Sequence, residues 1–381
     1  MLARRRIKRA GALVSAGLAT AVLSSCTDLS NIPKQLRPLS YATKQLIDEK
    51  GMEEDAPIVL RIFKEDGELE VWKKKAETSR YALLKKYDIC KWSGKLGPKF
   101  KEGDRQAPEG FYTVAPAQMN PKSSYHLSFN IGFPNAYDRA NERSGSHLMV
   151  HGACSSAGCY SMTDEQIQEI YTLARQAFQG GQRAFQVQAY PFRMTPANMA
   201  RHRNDPNMEF WRMLKEGDDH FQVTGQPPKV DVCAKRYVFN STTVEGVTFN
   251  PTAECPEISV PDPIHLAVQD KIVKDAAKTQ IIVAKLEADE ARKARKAAPQ
   301  SIANPQIMIA GTAPANQTEN HDGSGATFTT ASVEPAKPAA PVPQSKPGSF
   351  EGEMATAYGP KQPNVAEKVG GFVKGLIGKV F

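Results

Sequence analysis

A chain of 381 residues has room for one large domain with tails or for two average ones, and at 40% hydrophobic content it can bury a real core. A net charge of +8 favours anionic surfaces, but no aromatic RNA-binding stretch, zinc finger or basic zipper accompanies it, so no nucleic-acid partner is expected. The prolines crowd toward the C-terminal third, which predicts a folded front and a loose back.

The N-terminus carries a cationic patch (Arg4, Arg5, Arg6, Lys8 and Arg9), followed by an apolar stretch at 10–23. That stretch is too short to span a bilayer but suits the apolar region of a signal peptide. It ends in Leu23-Ser24-Ser25-Cys26, the small-residue-then-cysteine pattern of a lipoprotein processing site. Residues 1–25 are therefore expected to be removed, with Cys26 diacylated at the mature N-terminus on the periplasmic side of a bacterial envelope. Two acyl chains anchor stably, at about 0.8 kcal/mol per buried methylene. Of the six cysteines, Cys90, Cys154, Cys159, Cys233 and Cys255 then remain, and an odd number in an oxidising compartment leaves at least one thiol unpaired.

Residues 26–54 read as a polar spacer and 55–260 as the folded domain. Runs at 57–63 and 68–72 flank Asp66-Gly67 and predict a hairpin. Further strand-like runs lie at 110–114, 125–130, 147–151 and 184–190, which makes the domain mainly β with added helix, an α+β class. One helix is well marked. Thr163 and Gln166 form a capping box, Ile167, Ile170, Tyr171, Ala174, Ala177 and Phe178 recur at helical spacing, and Gly180-Gly181 stops the run.

A charged helix is predicted at 261–298, with Asp262 as cap and Pro263 at its first position. Residues 299–360, rich in Pro, Ala, Ser, Thr and Gly, read as disordered linker. At 361–381, Val365, Val369, Phe372, Val373, Leu376, Ile377, Val380 and Phe381 share one helical face bordered by lysines. Residues 365–381 are thus a second candidate membrane contact, or a terminal helix docked on its own domain.

The densest chemistry lies at 147–162, which holds His147, His151, Cys154 and Cys159. Read as one strand, 147–151 separates the two histidines by roughly 13 Å, too far for one zinc, and no fourth ligand is evident, so no metal and no other cofactor is expected. Nucleophilic catalysis needs less: a thiol, a base in reach, small residues for access and amide donors for an oxyanion. Cys159 supplies the thiol and His151 the base. Gly158 allows close approach of substrate, and Gly152 lets the chain turn back after His151. The helix after Thr163 is placed to favour a thiolate if the turn points that way. Cys154 is a candidate partner for Cys159. Cys233 pairs with Cys255, or either with Cys90; the residues do not rank these.

His151-Gly152 followed by Ser156-Ala157-Gly158-Cys159 resembles the active-site motif of the YkuD-type L,D-transpeptidases, and more closely the YafK-like branch. The likeness extends across residues 107–112, 131–139, 146–152, 158–164 and 191–195, covering roughly 55–240. Ala157 and Ser161 depart from the wider family's pattern. The resemblance implies a β-sandwich of the L,D-transpeptidase type and a ping-pong acyl transfer on peptidoglycan stem peptides. Cys159 would form the thioester and His151 would manage the proton, with a second stem or an envelope protein as acyl acceptor. Gly158, Ser156, Ser161, Gly152 and His147 are expected to line the substrate or oxyanion site, and Arg139 and Arg193 to clamp a stem carboxylate. Water as acceptor would make the same site an amidase or endopeptidase. A non-catalytic envelope tether is the remaining alternative.

Overall fold

The computed structural model describes residues 31–297. The signal peptide, Cys26, the Pro/Ala-rich linker and the C-terminal amphipathic segment lie outside the described residues.

In chain order the elements are α1 (Tyr41–Glu49), β1 (Ile58–Phe63), β2 (Glu68–Lys74), β3 (Tyr81–Asp88), β4 (Lys91–Trp92), β5 (Gly110–Val114), β6 (Met119–Asn120), β7 (Ser128–Asn130) and α2 (Ala136–Ala140). There follow β8 (Met149–His151), β9 (Tyr160–Ser161), α3 (Asp164–Gln179), β10 (Phe185–Tyr190), α4 (Pro196–Arg201), α5 (Met208–Thr224), β11 (Val230–Cys233), β12 (Arg236–Phe239), β13 (Thr242–Thr243), β14 (Ile258–Ser259) and α6 (Asp262–Ala297). Two five-stranded sheets dominate, ordered β3-β2-β1-β10-β5 and β4-β9-β8-β7-β6. The fold is α+β.

β1 is buried at all six positions because its sheet is covered on both faces. Ile58, Leu60 and Ile62 join Val187, Tyr112, Phe129, Val150 and Tyr160 in a core shared with the second sheet. Phe63, Phe111 and Tyr190 face the other way, into a cluster with Phe192, Trp211 and Leu214. Such two-sided burial favours a continuous apolar run over alternation. Arg61 interrupts the run, and α5 answers it with Asp218, while the Phe221 ring lies 4.5 Å from the guanidinium.

α3 begins as its sequence dictates: Thr163 Oγ1 accepts from the Gln166 amide at 3.2 Å and Gln166 Oε1 from the Thr163 amide at 2.9 Å. Its apolar face, Ile167, Ile170, Leu173, Ala174 and Ala177, is fully buried against β1, β7 and β8. Complete burial of side chains this size stabilises by about 1.5–3 kcal/mol each for the larger aliphatics.

Three stretches differ from the sequence reading. The supposed spacer 26–54 carries α1, capped by Ser40, and sends Leu39, Ile47 and Met52 into the core. The runs at 125–130 and 147–151 are paired only over their last three residues; His126 and His147 take left-handed backbone (φ 61° and 54°), which ends a strand. Two disulfides join Cys90 to Cys154 and Cys233 to Cys255, so Cys154 is not the partner of Cys159.

Candidate active site

The second sheet positions the chemistry. β8 and β9 run parallel, with Val150 opposite Tyr160 and His151 opposite Ser161. Val150 and Tyr160 point into the core, so His151 points to the outer face. Cys159, just before β9, shares that face through the two-residue alternation. One strand over and two residues along, the backbones of His151 and Cys159 stand roughly 8 Å apart, a span two inward-leaning side chains can close.

His151 is buried, and its Nδ1 lies 2.7 Å from the carbonyl oxygen of Gly152. A carbonyl only accepts, so Nδ1 carries the proton and the lone pair is on Nε2. Burial holds the imidazole below its ordinary pKa, opposed by that hydrogen bond. Cys159 is half-buried and is the one free cysteine among the described residues. Its Sγ accepts from the Met149 amide at 3.4 Å and donates to the His147 carbonyl at 3.7 Å. Burial pushes the thiol pKa up, against the Met149 amide and the charge of Lys99, which favour the thiolate. Both groups are thus neutral at rest: a thiol just before β9 and, on the adjoining strand β8, an imidazole with a free lone pair.

The loop from Gly152 to Gly158 sets the sulfur's position. A side chain at Gly152 would come within 2.5 Å of Asp164 Oδ1 and 2.8 Å of the Tyr125 carbonyl, so this glycine serves close packing rather than substrate. Gly158 has φ 136°, which favours glycine, and its missing side chain leaves the approach to Cys159 open, with nothing nearer than 3.8 Å. Ser156 Oγ accepts from the amides of Cys159 (3.0 Å) and Gly158 (3.4 Å) and donates to the Cys159 carbonyl at 2.6 Å. These amides are therefore engaged on Ser156, not free as oxyanion donors, and Ser156 acts as the clasp of the turn. α3 meets this loop at Ala153, whose amide donates to Asp164 at 2.8 Å.

Other expected site residues are elsewhere or otherwise occupied. Ser161 is fully buried and donates to the Lys91 carbonyl at 2.8 Å, so it cannot touch substrate. Arg193 gives its guanidinium to Glu68 and to Glu70 (2.9 Å) and lies over Phe63, all on the first sheet, which does not carry Cys159. Arg139 is exposed on α2 and turns back onto the Pro134 carbonyl. His147 contributes its backbone carbonyl to the thiol, while the residue itself is exposed, in left-handed backbone before β8, so strand alternation does not put its ring on the face of His151. Conversely, Tyr125, Ser93 and Lys99 belong to the site without having been singled out. Tyr125 covers the His151 ring at 4.8 Å, and Ser93 Oγ lies 2.9 Å from Ser156 Oγ. Lys99 is buried against Asp104 and the Lys101 carbonyl. They come from loops that share no motif with the cysteine.

Residues 60–188 match the model of the YkuD family, the L,D-transpeptidase catalytic domain. The Escherichia coli K12 protein named "Putative L,D-transpeptidase YafK" is 49% identical over 183 residues, covering 48% of this chain and 74% of its own length. The protein of the same name from Escherichia coli O157:H7 matches to the same extent. Among solved structures, the helical cell shape determining protein Pgp2 from Campylobacter jejuni aligns with a TM-score of 0.29 at 16% identity, over 50% of this chain and 79% of that one. Bdellovibrio bacteriovorus Bd1075 aligns with a TM-score of 0.26 at 21% identity, over 38% and 51%.

Proposed function

The chain belongs to the YkuD family of L,D-transpeptidase catalytic domains, and from that membership we propose that Cys159 is the nucleophile and His151 the general base of an acyl transfer on peptidoglycan stem peptides. The observation that carries this is one free thiol among the described residues, placed just before β9, with an imidazole of fixed tautomer on the adjoining strand β8.

The steps follow from the groups present. Rotation about the Cβ–Sγ bond re-aims the thiol proton from the His147 carbonyl to His151 Nε2. The sulfur attacks the carbonyl carbon of the third stem residue as Nε2 takes that proton, and the Nδ1–H···O bond to Gly152 supports the imidazolium. The imidazolium then protonates the departing amine of the terminal D-amino acid, leaving a thioester on Cys159. An incoming amine attacks the thioester and gives its proton to Nε2, and the thiol is regenerated. The acceptor is a second stem peptide or an envelope protein's amine. Starting from two neutral groups, the enzyme separates charge only during attack, so the buried Lys99 and the Met149 amide stabilise the developing thiolate.

The compartment proposed is the periplasmic side of the envelope, with the chain anchored through diacylated Cys26; residues 365–381 are a second candidate membrane contact. Two disulfides within the described residues support an oxidising location. Incubation with tetrapeptide muropeptides and a free amine tests the reading. Release of the terminal D-amino acid with an amine adduct is expected; release with no adduct identifies hydrolysis instead, and no release at all refutes the acyl chemistry.

A further inference from the structure

Tyr125 lies over His151, with ring centroids 4.8 Å apart and planes tilted by 40°, and the mechanism above does not use it. Its carbonyl accepts from the Gly152 amide at 3.0 Å and its amide donates to Ser123 Oγ at 3.1 Å. The carbonyls on either side of it, those of Ser123 (3.2 Å) and His126, both accept from the ammonium of Lys34. Lys34 is itself tied down. Its carbonyl accepts from Gln168 Nε2 at 2.7 Å, Arg175 holds the carbonyls of Gln35 and Arg37, and Thr172 Oγ1 donates to Arg37 at 3.1 Å. Residues 34–37 are thus a strap fastened along α3, and one ammonium reaches from it to the loop that carries Tyr125.

We propose that Tyr125 is a positioning residue for the base: its ring shields the His151 imidazole from water, and Lys34 is the latch that keeps it there. The proposal rests on His151 acting as the base. An uncharged ring that displaces water removes hydration from the imidazolium without supplying a countercharge, which favours the neutral, proton-accepting form. The depressed pKa of His151 has burial as its main cause, in keeping with this. Among the described residues, the titratable groups on the elements packed around β8 at His151 are these. From its own loop come Tyr125 and, against Gly152, His126; α3 offers Asp164, engaged with the Ala153 amide; the segment before β9 brings Cys159. The cross-strand neighbours Ser128 and Ser161 do not titrate.

The test is the titration of His151 in the full chain, followed by NMR of 13C-labelled histidine, with the resonance assigned by its loss in His151→Gln. The wild-type midpoint is expected below about 6.5, the ordinary value, and Tyr125→Phe, which keeps the ring, is expected to match it. Tyr125→Ala should raise the midpoint toward that value, and Lys34→Met, which keeps the stem but loses the ammonium, should raise it too. The ratio of kcat/KM at about pH 6 to that at about pH 8 should fall in parallel, because only the protonated fraction is inactive. Tyr125 is 48% exposed, so its truncation leaves the core intact; the dispersion of the other histidine signals checks the fold, and Tyr125→Ser is the second truncation. A midpoint unmoved or lowered in Tyr125→Ala overturns the shielding role, and one unmoved in Lys34→Met overturns the latch. The readout needs no substrate, so it separates this inference from the catalytic one: an active enzyme with an unmoved midpoint sinks only the former.

Discussion

Cys154 is joined to Cys90, Cα to Cα 5.1 Å, a short way before the free thiol of Cys159. The bridge fastens the 152–158 loop to the turn between β3 and β4, where the Cys90 amide donates to Ser161 at 2.9 Å and the Cys154 amide to Met162 at 3.1 Å. The loop needs such a fastening. Ala153 and Cys154 are consecutive non-glycine residues in left-handed backbone, φ 64° and 46°, a conformation that costs about 1–3 kcal/mol per residue and persists only where the surroundings impose it.

Opening this bridge should therefore act on catalysis, whereas opening the other should act on stability alone. Loop-closure entropy assigns about 4 kcal/mol to the Cys90–Cys154 link and about 3 kcal/mol to Cys233–Cys255. Cys90→Ser with Cys154→Ser is expected to lower kcat at least several-fold in protein that remains folded. Cys233→Ser with Cys255→Ser should lower the urea midpoint and leave kcat close to wild type. Equal kcat losses in the two double variants would contradict the loop's role.

The neutral thiol predicts a distinctive alkylation profile. Burial raises the Cys159 pKa and lowers that of His151, so no thiolate–imidazolium pair stands ready at neutral pH. The rate of iodoacetamide labelling at Cys159 should keep climbing as pH rises through about 8, where a free thiol of ordinary pKa about 8.5 is still mostly protonated. A plateau already reached near about pH 6 would signal a preformed ion pair.

Arg193 offers a negative control for substrate recognition. Its guanidinium serves Glu68 and Glu70 on β2, and it is 31% exposed, so its removal should cost about 1 kcal/mol or less of stability after solvent screening. KM for the stem peptide should not change in Arg193→Ala. A large rise in KM without loss of stability would restore it as a substrate clamp.

Much of this was legible in the sequence, and what was not has physical causes. The capping box at Thr163 and the α3 apolar face are local signals, so they translate directly into structure. His151 and Cys159 were marked by the motif spacing; the first ends β8 and the second stands just before the adjoining β9. Arg193 was misread because its destination depends on Glu68 and Glu70, which are distant in sequence. Ser161 was misread because membership of the site strand says nothing of whether a hydroxyl meets solvent or a neighbouring carbonyl. α1 was missed although Ser40 is a proper cap, since a polar stretch with few apolar anchors resembles a spacer until Ile47 is seen in the core. Tyr125 and Lys34 lie far apart in the chain and come together only through α3.

A buried ion pair supports the wall of the site. Lys64 Nζ binds Glu109 at 2.8 Å and the carbonyls of Lys95, Gly97 and Ala107, while Trp211 donates to the other Glu109 oxygen at 2.9 Å. Glu109→Gln would leave the ammonium uncompensated, at a cost of about 3–5 kcal/mol. Burial already pushes the Lys64 pKa down from 10.5. In the variant the unfolded chain binds more protons than the native one between the lowered native pKa and about pH 10.5, so its stability should rise with pH across that window. Urea unfolding at two pH values checks both the loss and its slope.

The most direct measurement is the intact mass of the full chain after brief exposure to tetrapeptide muropeptides, with peptide mapping of any adduct. The adduct is expected on Cys159 as a thioester, sensitive to hydroxylamine, absent in Cys159→Ala and formed far more slowly in His151→Gln. Turnover of muropeptide with Cys159 unmodified at every time, or undiminished in Cys159→Ala, would contradict the central claim.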